Sequence, residues 1–254
     1  MRYAARTHIG RVRQMNQDCF MARVDSTPWK LLVVADGMGG ASAGEVASQL
    51  AVGTVVDSLD EYLAQELDDP AEVLRAAIFV ANDRIWKLAQ EVDAYAGMGT
   101  TVVAALANES LVVFAHVGDS RGYFWHAGEL VQVTSDHSLV AELVRRGQLT
   151  EAEAQHHPQR NIVTRSLGTL ASNQADVRTV EWQPSDALLL CSDGLSNLVS
   201  HEELAKFLEV VTGADSQQVM EHEADRLLHL ALERGAPDNI TLIVAVHAPG
   251  GEGA

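Results

Sequence analysis

Five aspartates stand beside turn residues where apolar runs begin or stop. Asp18 closes Asn16-Gln17-Asp18, Asp36 follows Leu31 to Ala35, and Asp119 follows Val112 to Gly118. Asp193 follows Leu188 to Ser192, and Asp238 lies in Pro237-Asp238-Asn239, just ahead of Ile240. Taken singly, an Asp at a strand end is ordinarily a turn or capping residue. Brought to one spot by neighbouring strands, these carboxylates would raise one another's pKa and resist ionising together unless a cation joined them. Hard oxygen ligands select Mg²⁺ or Mn²⁺ over zinc, and no His or Cys in the chain has the tight spacing of a structural zinc site. Two such cations bridged by one carboxylate can hold a water, lower its pKa and aim it at phosphorus. A hydrolase of that kind also needs a cationic fork for phosphate oxygens. Arg13 is the candidate, against the ordinary reading of a surface arginine. In LLVVADGMGG (Leu31 to Gly40) and LLLCSDGLSN (Leu188 to Asn197) a glycine follows the Asp. Lacking a Cβ, it lets backbone approach closely, so that the Gly37 carbonyl can itself serve as a ligand.

Strands must deliver these groups. Lys30 to Ala35 is a short, almost fully apolar run, predicted as a strand buried on both faces. Thr100 to Ala107, Leu111 to Val117, Arg121 to Trp125 and Glu129 to Thr134 follow, split by turn residues at Asn108-Glu109-Ser110 and His126-Ala127-Gly128. That is an antiparallel meander. Val177 to Trp182, Ala187 to Cys191 and Ile240 to Val246 complete the predicted strands. Helices are expected from Ala43 to about Leu63, after the Asp69-Pro70 cap, after the capping box Ser200 to Glu203, and through Val219 to Ala231 before Gly235 and Pro237. Segregated strands and helices argue α+β, with two sheets and helices outside. The stretch from Ala141 to Leu170 is polar and poorly periodic, as a mobile lobe over a site would be. PGGEGA at the C-terminus reads as a frayed tail.

The chain has 254 residues, 47% of them apolar and 21% charged. This is globular composition, with length enough for one large domain or two small ones. No apolar run is long enough for a transmembrane helix, and the N-terminus lacks the apolar core of a secretory peptide, so a cytoplasmic protein is expected, with no membrane partner. The formal net charge is −17. No basic patch is visible, which excludes nucleic acid as the expected partner. Such acidity favours solubility and can attract divalent cations. Cys19 and Cys191 are too few for a disulfide framework and read as small buried thiols.

Together RQMNQD (Arg13 to Asp18), VVADGMGG (Val33 to Gly40), GMGTT (Gly97 to Thr101), VGDSR (Val117 to Arg121), DHS (Asp136 to Ser138), NIVTRSLG (Asn161 to Gly168), LLCSDGL (Leu189 to Leu195) and PDNIT (Pro237 to Thr241) resemble the ordered motifs of the protein phosphatase 2C family, metal-dependent Ser/Thr phosphatases, in its short bacterial form. The resemblance spans roughly residues 3 to 247. It implies a four-layer α-β-β-α sandwich with two central, mostly antiparallel sheets, forming one catalytic domain over 1–247, a flap at about 141–170, and a flexible tail at 248–254. It implies two core Mn²⁺ or Mg²⁺ ions and a possible third. Asp36 would bridge the core ions, the Gly37 carbonyl would bind one of them, and Asp193 and Asp238 the other. Asp119 with Asp193 would hold the third. Asp18 and Asn239 would support from behind, and Arg13 would bind substrate phosphate, leaving Arg13, Asp36 and Asp193 as the catalytic set. The implied reaction is direct attack by a metal-bridging water on phosphoserine or phosphothreonine. The implied partners are phosphorylated proteins, including a Ser/Thr kinase and its substrates, and a monomer is expected.

Two positions depart from the family pattern. Gln17 stands where many members have Glu, removing one acidic charge near a core metal. Met38 stands where animal enzymes have a His proposed as general acid, and a thioether cannot donate a proton. His137 is a possible donor, set against a structural role, while His156 and His157 read as solvated. The alternatives are a non-catalytic scaffold on the same fold and a phosphatase of a phosphoserine anti-sigma-factor antagonist. DGMGG superficially matches an ATPase box, but no phosphate loop exists. The paired Asp of haloacid-dehalogenase phosphatases is also missing, since Gly37-Met38 follows Asp36.

Overall fold

The computed structural model describes residues 1–25, 27–40, 42–214 and 216–247. The expected tail at 248–254 lies outside them. The chain runs β1 (Arg2–His8), β2 (Asp18–Arg23), β3 (Lys30–Met38), α1 (Ala43–Leu59), α2 (Pro70–Glu91), β4 (Gly99–Thr100), β5 (Val102–Ala107), β6 (Leu111–Val117), β7 (Arg121–His126) and β8 (Glu129–Gln132). It continues with α3 (Leu139–Arg145), α4 (Glu151–Gln155), β9 (Asp176–Glu181), β10 (Ala187–Cys191), α5 (Asp193–Ser196), α6 (His201–Thr212), α7 (Gln217–Glu233) and β11 (Ile240–Val246).

One sheet has the order β1-β11-β10-β7-β8. The other has β2-β3-β5-β6-β9, with β4 paired to the end of β3. Every strand pair described is antiparallel.

Strand alternation builds the layers. On β3, Leu31, Val33 and Ala35 face α1 and α2, whereas Leu32 and Val34 face the second sheet. On β10, Leu188 and Leu190 meet that same inter-sheet layer, while Leu189 and Cys191 pack towards α5, α6 and α7. A strand covered on both faces reads as a continuous apolar run, which is why β3, β5, β10 and β11 are legible in the sequence. The result is the α-β-β-α sandwich. Each fully buried Leu or Ile in the middle layer contributes roughly 1.5–3 kcal/mol, so the two sheets are held in fixed relation.

Several boundaries differ from expectation. β3 does not stop at Ala35; it runs through Asp36 and Gly37 to Met38. The run expected from Thr100 to Ala107 breaks at Thr101, whose side chain is diverted to the backbone of Asp36. The last expected strand of the meander ends at Gln132, and β9 starts one residue early, at Asp176. α1 ends at Leu59, and hydrogen-bonded turns carry the chain on to Leu63, which is fully buried. β1 and β2 were not expected at all.

Segment 141–170 is less irregular than its composition suggests. It contains most of α3, capped by Ser138, and α4, which has a capping box of Thr150 and Glu153. Its later part pairs back: Leu139 N–H donates to Ile162 C=O (2.9 Å) and Thr164 N–H to His137 C=O (2.7 Å). Its end is tied to β4 by two hydrogen bonds between Leu167 and Thr100.

The expected caps are present. Asp69 accepts from the Glu72 N–H, and Ser200 with Glu203 forms a reciprocal box. On β1, which borders its sheet, Tyr3 C=O accepts from Gln217 Nε2 (2.6 Å) and Ala5 C=O from Arg6 Nη1 (2.9 Å).

Candidate metal centre

The two sheets bring their carboxylates to the same end of the sandwich. Asp18 on β2 lies directly opposite Asp36 on β3. Asp119 follows β6, Asp193 opens α5 after β10, and Asp238 stands two residues before β11. One sheet therefore supplies Asp18, Asp36 and Asp119, and the other supplies Asp193 and Asp238.

Threonines and serines fix this arrangement. Asp36 N–H donates to Thr101 Oγ1 (3.0 Å), and Thr101 N–H donates back to Asp36 C=O (2.9 Å). Thr100 Oγ1 also donates to that carbonyl (2.8 Å). Thr101 Oγ1 shares a hydrogen bond with Ser120 Oγ (2.7 Å), which joins the Asp36 strand to the residue after Asp119. Across the sheets, Ser192 Oγ donates to Asp18 Oδ2 (2.8 Å) and accepts from Thr241 N–H (3.0 Å). Motif spacing gave no sign of these ties, because each spans a fold-dependent gap between small polar residues.

Asn239 locks the loop that carries Arg13. Its Oδ1 accepts from Gln17 N–H (2.8 Å), and its Nδ2 donates to the carbonyls of Ile9 (2.8 Å) and Met15 (3.0 Å). Arg13 Nη2 donates to Asp238 Oδ2 (2.6 Å), with its side chain half exposed. That bond is the main cause of its raised pKa, and Asp36 and Asp193 add to it.

The two glycines after Asp admit the close backbone approach expected of them. A Cβ on Gly37 would lie 2.0 Å from the carbonyl oxygen of Gly44, and one on Gly194 would lie 1.8 Å from that of Asn239. Each permits a neighbouring backbone to close against the Asp-bearing segment. Gln17 sits in the same contact: its C=O accepts from Gly37 N–H (3.0 Å), and a Cβ on Gly44 would meet its Nε2 at 2.6 Å.

The electrostatics are those of carboxylates crowded without a partner. Burial, then Asp18 and Asp193, holds Asp36 well above the usual carboxylate range. Burial raises Asp18 and Asp119 each to about 7, with Asp193 contributing to both. Asp193 is raised by burial and then by Asp238. Asp18 Oδ1 is buried with no hydrogen-bond partner. An all-oxygen donor set with excess negative charge and an orphaned buried oxygen fits hard divalent cations.

A model of the family described as Protein phosphatase 2C matches residues 6–230. The chain belongs to the protein phosphatase 2C family. It is 40% identical to the serine/threonine phosphatase stp of Listeria monocytogenes over 240 residues, which is 94% of this chain and 93% of that protein. It superposes on the crystal structure of the Mycobacterium tuberculosis serine/threonine phosphatase PstP/Ppp with a TM-score of 0.85, at 38% identity, covering 98% of this chain and 99% of that one. A further solved relative is the catalytic domain of PstP in complex with two manganese ions, with a TM-score of 0.82 at 37% identity and 96% and 97% coverage. No helix among the described residues is long and apolar enough to cross a membrane.

The remaining candidates fall outside the carboxylate cluster. His137 is buried, its Nδ1 accepts from Gly118 N–H (3.1 Å), and burial followed by His116 and Arg165 lowers it to about 4. A neutral, engaged imidazole is no general acid. His156 is exposed and His157 half-buried. Cys191 is buried, whereas Cys19 is only half-buried. Burial pushes the Cys191 thiol up to about 12 and raises Cys19 as well, so both stay protonated.

Proposed function

We propose that this chain is a metal-dependent phosphoprotein phosphatase that hydrolyses phosphoserine and phosphothreonine with Mn²⁺ or Mg²⁺. The observation that carries this is the convergence of five carboxylates from two sheets on one polar end, with Asp18 Oδ1 left unpartnered. Asp36, the Gly37 carbonyl, Asp193 and Asp238 would hold two core cations, and Asp119 with Asp193 a third. When bound, these cations supply an acidified water for in-line attack on phosphorus and offset charge on the phosphoryl oxygens.

The chain's own residues do the rest. Asp238 now occupies the Arg13 fork. Once Asp238 is engaged as a ligand, the fork is free to grip two phosphoryl oxygens, for which its planar geometry is suited. Asn239 keeps the Arg13 loop in reach through Ile9, Met15 and Gln17. Asp18 and Ser192 brace the sheets at the point where the cations would pull on them. Met38 and the neutral His137 leave protonation of the departing alkoxide to solvent or to another group. The chain, as a cytoplasmic monomer with one catalytic domain over 1–247, would act on phosphorylated proteins, a Ser/Thr kinase and its substrates being the expected class. Retention of every core carboxylate weighs against a scaffold.

The test is hydrolysis of a phosphothreonine peptide by EDTA-stripped protein with and without Mn²⁺. Activity should appear only with Mn²⁺. Asp36→Asn and Asp193→Asn should each lower kcat by about 10³-fold or more with circular dichroism unchanged. Arg13→Ala should raise KM about tenfold with a smaller effect on kcat. An active Asp193→Asn protein with undiminished metal binding would refute the reading.

A further inference from the structure

The loop that joins β1 to β2, residues 9–17, is braced at both shoulders. At the first, Gly10 takes φ +83°, and a Cβ there would lie 2.2 Å from the carbonyl oxygen of Asp238. Gly10 N–H donates to His8 Nδ1 (2.9 Å), Arg11 N–H to Ala236 C=O (2.8 Å), and Arg11 Nε to Leu232 C=O (2.7 Å), near the end of α7. At the second, Met15 C=O accepts from Asn239 Nδ2 (3.0 Å), and Asn16 Nδ2 donates to Thr7 Oγ1 (2.9 Å). Between the shoulders the chain stands out from the surface, and Arg11 to Met15 are all exposed. Val12 is 68% exposed, the highest figure for any large apolar side chain among the described residues, and Met15 is 38% exposed.

Single apolar side chains are ordinary on a protein surface. These two are not scattered. Val12 precedes Arg13 and Met15 follows it by two residues, so both sit beside the guanidinium assigned to the substrate phosphate. Residues 9–17 also contain no Asp or Glu, in a chain that has 35 of them. A phosphorylated segment that approaches Arg13 therefore meets cationic and apolar groups along this loop, and no carboxylate to repel it. A backbone already held at both ends loses little freedom when a ligand covers it, so the area buried there is not offset by ordering the loop.

We propose that Val12 and Met15 are specificity-determining residues that receive an apolar side chain flanking the phosphoserine or phosphothreonine, so that the substrate class is phosphorylated segments with Leu, Ile, Val or Met within about three residues of the phosphate, the reach of a chain that advances about 3.3 Å per residue. The inference rests on the proposed phosphatase reading and on the role of Arg13 in it. It adds the character of the sequence around the phosphate, which the carboxylate cluster does not read.

The test is a panel of phosphothreonine peptides with Leu, Ser or Glu placed singly at each of the three positions on either side, hydrolysed by Mn²⁺-loaded protein. Wild type should favour Leu over Ser at one flanking position by roughly three- to tenfold in kcat/KM, the worth of partly covering an aliphatic side chain. The difference should reside in KM, as for contacts made equally in the ground state and the transition state. The double variant Val12→Ser/Met15→Gln should lose the preference. Val12→Lys should reverse it, favouring Glu over Leu at the same position, which a merely structural role would not produce. Ratios between peptides on one variant cancel any general loss of turnover, and circular dichroism checks the fold. If the double variant does not fold, Val12→Lys decides alone. Equal kcat/KM across the panel in an active wild type, or a Leu preference that survives these substitutions, overturns the proposal. A wild type that hydrolyses no peptide of the panel with Mn²⁺ sinks the phosphatase reading itself, and this proposal with it.

Discussion

Asp18 and Asp119 are carboxyls that titrate near neutrality when no cation is bound, about 7 against an ordinary 3.8. A group whose pKa is raised on folding holds more protons in the native state than in the unfolded chain, so stability falls as pH rises through that window. The metal-free protein should therefore lose thermal stability steadily between pH 4 and 7, and Mn²⁺ should restore it most at the upper end. Melting curves of EDTA-treated protein at stepped pH, with and without Mn²⁺, check both parts. Asp36→Asn removes one buried carboxyl whose pKa is raised on folding and should flatten the metal-free slope while abolishing activity. At this scale the aspartates were readable, because each follows or precedes an apolar run and each shares its motif with a turn residue. Thr101 and Ser192 were not readable as partners. Their significance lies in contacts such as Ser192 to Asp18, which cross between sheets and leave no local pattern.

Among the elements, the close approach of α5 to the start of β11 is the tightest demand on the chain around Asp193. Gly194→Ala would drive a Cβ into the backbone of Asn239, where no flexible side chain can yield. The expected cost is on the order of 3 kcal/mol, a fall of roughly 6–12 °C in melting temperature for a chain of this size. Because Asn239 holds the Arg13 loop, KM should rise as well. A variant with unchanged melting temperature and KM would show that the two backbones can separate freely. Ser200→Ala, by contrast, should cost about 1 kcal/mol through loss of the α6 cap and leave kinetics alone. The cap of α6 was legible because its residues are adjacent in sequence. β1 and β2 were not, because they border their sheets: only Ala4 of β1 and no residue of β2 is fully buried, Arg6 interrupts β1, and Asp18 and Arg23 close the two ends of a short β2. Edge strands lack the two-sided apolar signature that disclosed β3 and β10. The helices of segment 141–170 escaped notice because they are short and almost wholly unburied.

For the molecule as a whole, the apolar layers and the order of motifs were enough to read the sandwich, since three stacked layers require strands that are apolar on both faces. Which strands lie at the borders was not readable. It matters because a border strand is a template for pairing with another chain. β1 occupies such a border, and two of its carbonyls are taken by the side chains of Gln217 and Arg6. These side chains occupy acceptors that a neighbouring strand would otherwise use, which predicts that they guard against self-association. Removing both, in a Gln217→Ala/Arg6→Ala variant, should leave turnover in dilute solution unchanged and yet make the protein accumulate higher-mass species as its concentration rises, visible by sedimentation. A double variant as dispersed as the parent would place the guard elsewhere. For an acidic chain whose like charges are screened as salt increases, the difference between the two proteins should widen with ionic strength, making colloidal behaviour, rather than catalysis, the property these two side chains protect.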